Sequence, residues 1–479
     1  MKILFVGSEI MPFAATGGLG DVLGSLPQAI ASADETDDIR AVMPLYGSIG
    51  AEHRRKMKFI KAFEVNLSWR KLYCGVFSLK KDGVTYYFLD NEYYFKRDSL
   101  YGSFDDGERY AFFCAAVLRM MYEVDFYPDI LHANDWQSAL SVVYLNLKYR
   151  WIEPYSKIRT VFTIHNIQYQ GQYDFAILGD VFDIEAKDRG YVDYGGCINL
   201  MKGAIELCDR VTTVSPTYAR EILSPEYSFG LSELLRRHEG KLCGILNGID
   251  YTYYDPKTDP EIASDYSWRS LGKKTPNKTA FQKEHGLPTD EDIPLYCMIS
   301  RLAGHKGFDL VKYMLEDFVA NHKVQVAILG KGEEDYENYF RYLAGKYPDK
   351  VSALLVYDRA LSKKLYAAAD MFIMPSKSEP CGLSQMIASR YGAVPITRET
   401  GGLYDSIKGY YVDEHGKVCG NGFTFRNYNA DELRDRMQAA YDLYFDKTAW
   451  QKLVRKVMRE DFSWEKSAED YRNLYHTLA

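Results

Sequence analysis

Two glycine-rich stretches, each set between an apolar strand-like run and a helical pattern, constrain this 479-residue chain more than any other feature. Ala15-Thr16-Gly17-Gly18-Leu19-Gly20-Asp21 follows Ile3-Leu4-Phe5-Val6 and precedes the helical spacing of Val22, Leu23, Leu26 and Ile30. Glu379-Pro380-Cys381-Gly382-Leu383 follows Met371-Phe372-Ile373-Met374 and opens a helix through Met386, Ile387 and Arg390. In a strand-loop-helix unit the unpaired amides of the first helical turn point past the carboxyl end of the strand, where they favour an anion. Two such units far apart in the chain predict one phosphate-bearing ligand held by two similar halves.

The second half shows the supporting pattern. Strand-like runs at Pro294–Ile299, Val324–Leu329, Val351–Val356, Met371–Met374 and Ala393–Ile396 alternate with helical segments at Phe308–Phe318, Tyr336–Leu343, Ser362–Ala369 and Leu383–Tyr391. That alternation predicts a parallel sheet covered by helices, an α/β doubly wound unit that binds ligand at the carboxyl ends of its strands. The first half repeats it, with strands expected at Ile3–Val6, Ile39–Met43, Ile130–His132, Thr160–Ile164, Arg210–Val214 and Leu242–Leu246. Phe59–Phe95 reads as antiparallel strands around an Asp82-Gly83 turn. The expected domains are 1–250, then 251–460 entered through a polar connector at Asp255–Asn277, with 461–479 an amphipathic helix returning to the first domain. Two doubly wound domains facing each other across a cleft follow from this pattern.

Bulk properties remove several classes. A net charge of −7 argues against a general nucleic-acid binder. No apolar run reaches the roughly 20 residues of a membrane helix, and the N-terminus enters a strand without a signal-peptide pattern. The cytoplasm is the expected location, and oligomeric state stays open. Eight scattered cysteines form no metal-spaced or disulfide framework. Forty tyrosines fit core packing, or stacking on sugar faces. The early loop lacks the spacing of a dinucleotide-binding fingerprint, and Gly330-Lys331-Gly332 lacks the hydroxyl of a P-loop.

Arg301 and Lys306, in Ser300-Arg301-Leu302-Ala303-Gly304-His305-Lys306-Gly307, follow an expected strand and suit a diphosphate: a planar fork and a mobile point charge. Glu379 is either a helix cap or an acceptor for sugar hydroxyls. Cys381 sits inside the second glycine-rich loop, where close packing beside a ligand is its simplest use. His132-Ala133-Asn134-Asp135-Trp136 and Thr163-Ile164-His165-Asn166 place polar clusters at two strand ends of the first half. Asn247-Gly248-Ile249-Asp250 reads as a turn.

Together these motifs resemble those of the bacterial glycogen and plant starch synthases, retaining glucosyltransferases of the GT-B fold. The likeness runs from Ser8-Glu9 and Thr16 to Val22, through His132–Trp136, Thr163–Asn166 with Tyr169-Gln170-Gly171, Asn247–Asp250, Arg301 with Lys306, and Pro375–Leu383, to Thr400–Asp405. It implies transfer of glucose from a nucleotide-glucose, ADP-glucose first, to the non-reducing end of an α-1,4-glucan primer. Carried over, Arg301, Lys306 and the amides of Gly17, Gly18, Gly382 and Leu383 grip the diphosphate. Glu379 and His165 position the glucose, Asp135 and Asn247 line the same pocket, and Tyr357 stacks on the adenine. Ala15, Asp21 and Cys381 fall within the donor loops, while Phe95, Arg97 and Tyr101 fall in the acceptor-contacting region. The resemblance implies no metal or other cofactor. Retention is expected by same-face attack, with the departing phosphate taking the acceptor's proton.

Three positions depart from the family's pattern. Ala15 stands where a donor-binding lysine is usual, which leaves UDP-glucose, another GT-B glucosyl transfer, or glucan binding without catalysis as alternatives. Tyr254 replaces a common tryptophan. Ile387 occupies a position that is glutamate in many retaining GT-B enzymes but not in starch synthases.

Overall fold

The structure, a computed structural model, describes residues 1–478. The chain divides into two compact units, Met1–Gly248 with Trp464–Ala479, and Ile249–Ser463.

The first unit is built on a nine-stranded sheet. Its strands run in the order Leu242–Gly244, Arg210–Thr213, Arg159–Ile164, Ile130–Asn134, Lys2–Val6, Asp38–Pro44, Val84–Asp90, Arg70–Lys81 and Lys58–Leu67. Pairing is parallel from Leu242–Gly244 as far as Val84–Asp90. The last two strands are antiparallel and extend the edge. The expected antiparallel segment is therefore an annex of the main sheet, and Asp82 and Gly83, with φ of 48° and 79°, make its turn. Central strands such as Lys2–Val6 and Ile130–Asn134 are buried along nearly their whole length, which is why they read as unbroken apolar runs. Each fully buried aliphatic or aromatic side chain there contributes about 1.5–3 kcal/mol. The edge strand Lys58–Leu67 is largely exposed and carries Lys58 and Lys61, charges that blunt edge-to-edge pairing.

The C-terminal helix Trp464–His476 packs on Gly18–Ala33. Arg472 pairs with Asp34 at 2.7 Å and Asp37 at 3.4 Å, and the Tyr475 hydroxyl lies 2.7 Å from His132 Nδ1. The Ser467 hydroxyl donates to the Leu246 carbonyl at 2.5 Å.

The second unit holds a six-stranded, wholly parallel sheet. Its order is Val351–Leu354, Gln325–Leu329, Leu295–Ile299, Met371–Met374, Val394–Arg398 and Phe423–Phe425. Phe423–Phe425 and the helices Ala430–Phe445 and Lys447–Val457 lie beyond the expected elements. The polar connector is part of this unit's body. Asp259 is buried, accepts from Tyr391 Oη, and lies 3.4 Å from Lys363 Nζ, while Tyr266 Oη donates to the Tyr391 carbonyl at 2.7 Å. Where the chain enters and leaves the unit its two ends run side by side, the Ile249 amide donating to the Phe462 carbonyl at 2.7 Å. No helix among the described residues is long and apolar enough to cross a membrane.

Candidate active site

In the second unit the loop after Leu295–Ile299 carries Arg301 and Lys306. Lys306 ends a short 3-10 turn, and Gly307 follows at φ +81°. A Cβ at Gly307 would lie 2.2 Å from the Pro375 carbonyl oxygen, so the loop crosses the end of the neighbouring strand at a distance only glycine permits. This crossing brings Lys306 Nζ to 2.6 Å from Glu379 Oε2, while the Ser376 hydroxyl donates to the same oxygen at 3.0 Å. Glu379 is thus a buried acceptor and no helix cap. Arg301 is exposed, and its guanidinium has no hydrogen-bond or ion-pair partner among the described residues. Burial, reinforced by the Lys306 charge and then by Arg301, pushes the His305 imidazole below its ordinary pKa. The locale is electropositive.

Gly330-Lys331-Gly332 serves the backbone. The Lys331 carbonyl accepts from the Leu302 amide at 3.0 Å and the Leu302 carbonyl from the Glu333 amide at 2.7 Å, fixing the segment that bears Arg301. The loop Glu379–Leu383 is braced in turn by the Gly402 amide, which donates to the Glu379 carbonyl at 3.1 Å, and by Gln385 Nε2, which donates to the Gly382 and Cys381 carbonyls. Cys381 is buried beneath this loop and Gly382 has φ +69°. Leu383 caps the helix Ser384–Arg390 without a side-chain bond. Tyr357, past the end of Val351–Leu354, is 78% exposed, its ring open for stacking.

In the first unit Glu9 governs the glycine-rich loop. Buried in the turn after Lys2–Val6, its carboxylate accepts from the Thr16 amide and from the Thr16 hydroxyl at 3.1 Å; burial nonetheless raises its pKa. Gly17 and Gly18 are exposed with open space beside them, and Asp21 lies in the first turn of Gly18–Ala33. Ala15 is half-buried. Its Cβ is 2.3 Å from where a Cβ on Gly20 would sit, so this residue pair sets how closely the loop lies on the helix.

Asp135 follows Ile130–Asn134 in a left-handed conformation, φ 56°. Its Oδ1 accepts from the His165 amide at 2.8 Å and weakly from Asn166 at 3.4 Å. Burial outweighs these bonds and raises the carboxyl to a pKa of about 7. His165 Nε2 lies 2.9 Å from Asn134 Oδ1, and burial depresses its pKa to about 3. Asn247 is buried with Oδ1 unpartnered, an acceptor available to a ligand hydroxyl. His132 has a different role: both ring nitrogens are used within the core, one on Tyr475 and one on Thr163 Oγ1 at 2.5 Å.

The three residues of the expected acceptor region behave differently. Phe95 is 0% exposed and packs on Tyr46, Tyr94 and Phe112, so its side chain meets no acceptor; it is a core residue that anchors the short helix Glu92–Phe95. Arg97 is paired bidentately with Asp105, at 2.6 and 2.7 Å. The Tyr101 hydroxyl meets Ser8 Oγ at 2.7 Å, and the ring lies near Glu9 and Asp135. Glu9, Asn134 and Ser376 are the contributors that sequence reasoning left without a role. Each lies inside one of the quoted motifs, yet nothing in the sequence says where its side chain is aimed.

Two Rossmann-like α/β units, each with polar and charged groups at the carboxyl ends of parallel strands, are the architecture expected of a nucleotide-sugar glycosyltransferase. The comparisons are specific. Residues 2–237 match the starch synthase catalytic domain model and residues 277–456 the glycosyl transferases group 1 model. The chain is 46% identical to the glycogen synthase of Ligilactobacillus salivarius over 100% of both chains. It is 47% identical to that of Clostridium beijerinckii over 100% of this chain and 99% of the relative. The catalytic domain of starch synthase IV from Arabidopsis thaliana, solved bound to ADP and acarbose, superposes with a TM-score of 0.90 at 33% identity, covering 99% of each chain. Sucrose-phosphate synthase from Thermosynechococcus elongatus, at 16% identity and TM-score 0.61, shares the fold. The chain belongs to the glycogen synthase and starch synthase family, and it is a GT-B glycosyltransferase acting on a nucleotide-sugar and a glucan.

Proposed function

We propose that the donor is ADP-glucose and that transfer needs no metal ion, the leaving diphosphate being neutralised by Arg301 and Lys306. The observation that carries this reading is the pairing state of those two cations. Lys306 is held by Glu379 through one of its three donors, leaving two for phosphate oxygens, and Arg301 has its whole fork unspent. The ADP in the starch synthase IV structure supports the choice of nucleotide.

In the proposed reaction the bond from the anomeric carbon to the phosphate oxygen breaks as the bond to the acceptor's terminal hydroxyl oxygen forms on the same face. The acceptor proton passes to the departing phosphate oxygen. The donor's diphosphate is already anionic, and further charge appears on the leaving oxygen as the bond breaks; the part of the cations' attraction that grows with that charge lowers the barrier. His165, kept neutral by desolvation, offers its free ring nitrogen to a glucose hydroxyl, and within the same unit Asp135 and Asn247 accept from others; in the second unit Glu379 is an acceptor for sugar hydroxyls. Tyr357 provides a face for adenine. With no disulfide among the described residues, the eight cysteines suit the reducing cytoplasm, where we place the reaction.

The test is incorporation of labelled glucose into glycogen from ADP-glucose and UDP-glucose in parallel, with and without chelator, for the native chain and Ala15→Lys. Polymer formed preferentially from ADP-glucose, unaffected by chelator, is the expected result. A preference for UDP-glucose in the native chain overturns the donor assignment, and loss of activity on chelation overturns metal independence.

A further inference from the structure

We infer that Asn134 is a positioning residue that dictates which nitrogen of His165 meets the sugar. Asn134 is the last residue of the strand Ile130–Asn134 and is 2% exposed. Its backbone is clamped from both sides by Ser138: the Asn134 amide donates to Ser138 Oγ at 2.5 Å, and that hydroxyl donates to the Asn134 carbonyl at 2.7 Å. The side-chain amide has one orientation open to it. Nδ2 donates to the Val6 carbonyl at 3.2 Å and the His132 carbonyl at 3.1 Å, and both partners can only accept. Oδ1 must therefore face His165 Nε2, at 2.9 Å, and an oxygen there requires the proton on Nε2. Nδ1 is left as a bare lone pair with no protein partner among the described residues.

The inference rests on the reading that His165 contacts the donor sugar, and it deepens that reading: His165 is an acceptor of a sugar hydroxyl through Nδ1. A reversed amide would present NH2 to Nε2, move the proton to Nδ1 and turn the acceptor into a donor. The titratable groups around the imidazole are Asp135, whose Oδ1 takes the His165 amide, and His132 on the adjoining strand, with Glu9 and Tyr101 next to Asp135. All of them remain in an Asn134 variant, so the ratio of variant to native rate isolates the effect at His165.

Three variants and one spectrum test it. Asn134→Asp keeps an acceptor for Nε2–H but adds a negative charge, which raises the imidazole pKa. Below that pKa Nδ1 carries a proton and cannot accept. The expected kcat ratio of Asn134→Asp to native is close to one at alkaline pH and falls at least tenfold as pH drops towards 6. Asn134→Ala, lacking any acceptor, loses at least tenfold at every pH. In native protein with 15N-labelled histidine, the His165 signals, identified by their loss in His165→Ala, show a protonated Nε2 and an unprotonated Nδ1 without recourse to any Asn134 variant. Native-like rates and pH profiles in both Asn134 variants, with His165→Ala impaired, overturn the positioning role alone. A native rate in His165→Ala overturns the underlying sugar contact, and a proton on Nδ1 in the native spectrum overturns the tautomer.

Discussion

Replacing Arg301 with alanine separates catalysis from folding. The guanidinium is exposed and makes no hydrogen bond or ion pair with a described residue, so its removal leaves no buried group unpaired. A surface substitution of that kind changes stability by no more than about 0.5 kcal/mol, under about 2 °C in melting temperature for a unit of this size. The same group faces a diphosphate that is already anionic in the donor and gains further charge on the leaving oxygen as the bond breaks. Loss of one preorganised donor to such a charge costs about 3–4 kcal/mol, or about 10²–10³ in rate. Arg301→Ala should therefore melt with the native protein while kcat/KM for ADP-glucose falls about 10²–10³-fold. Arg301→Lys, which restores a point charge but not the fork, should recover part of that loss. Initial rates of nucleotide release at saturating glycogen, beside a thermal melt, provide both numbers. A kcat/KM within about twofold of native would refute the phosphate assignment, and a large drop in melting temperature would show that Arg301 works in the fold.

Lys306→Ala should fail on both counts: turnover falls like that of Arg301→Ala, and because Glu379 loses its ion-pair partner while only one-fifth of the lysine side chain is exposed, stability falls by about 2 kcal/mol, as read by denaturant unfolding. Tyr475→Phe removes the hydroxyl on buried His132 and should cost about 1–3 kcal/mol with kcat little changed, measured by melting and initial rates. Asp135→Asn should gain stability relative to native as pH rises. The native carboxyl has a pKa of about 7 in the fold and an ordinary value near 4 when unfolded, so its stabilising contribution is present at pH 4, is lost as pH rises towards 7, and stays lost above. Melting curves from pH 4 to 8 check it, and a stability difference that does not change with pH would count against the buried-carboxyl assignment.

The two sheets were legible because their central strands are covered on both faces and so appear as unbroken apolar runs. What was illegible has equally physical causes. Phe423–Phe425 is three residues long, too short for a period to declare itself. Asp255–Asn277 has the composition of a solvated connector, yet its Asp259 is buried with Tyr391 and Lys363. Phe95 sits in a motif region and is apolar and aromatic, the type that stacks on sugar, but its backbone aims it into the core. Sequence supplies residue types at strand ends. It does not supply the direction of a carboxylate such as Glu9, which turns inward to its own loop.

Two pairs of residues show what decides function at those strand ends. Arg301 and Arg398 both stand at the carboxyl end of a parallel strand and look equivalent in the sequence. Arg398 donates to the Lys377 carbonyl at 2.7 Å and lies over the Tyr428 ring, so part of its donor capacity is spent within the protein and its Nε is buried without a partner; Arg301 keeps its full fork exposed. His132 and His165 likewise sit on neighbouring strands, both kept neutral by burial. His132 has both nitrogens engaged by the core, whereas His165 has one fixed by Asn134 and one left over. In each pair the member assigned to substrate is the one with the larger unspent hydrogen-bonding capacity. Unspent capacity in a rigid setting is what a transition state can use, because no protein bond has to break before the new one forms. The same criterion picks out Asn247, buried with an unpartnered oxygen, and passes over Phe95 and Arg97, whose contacts are already made within the protein.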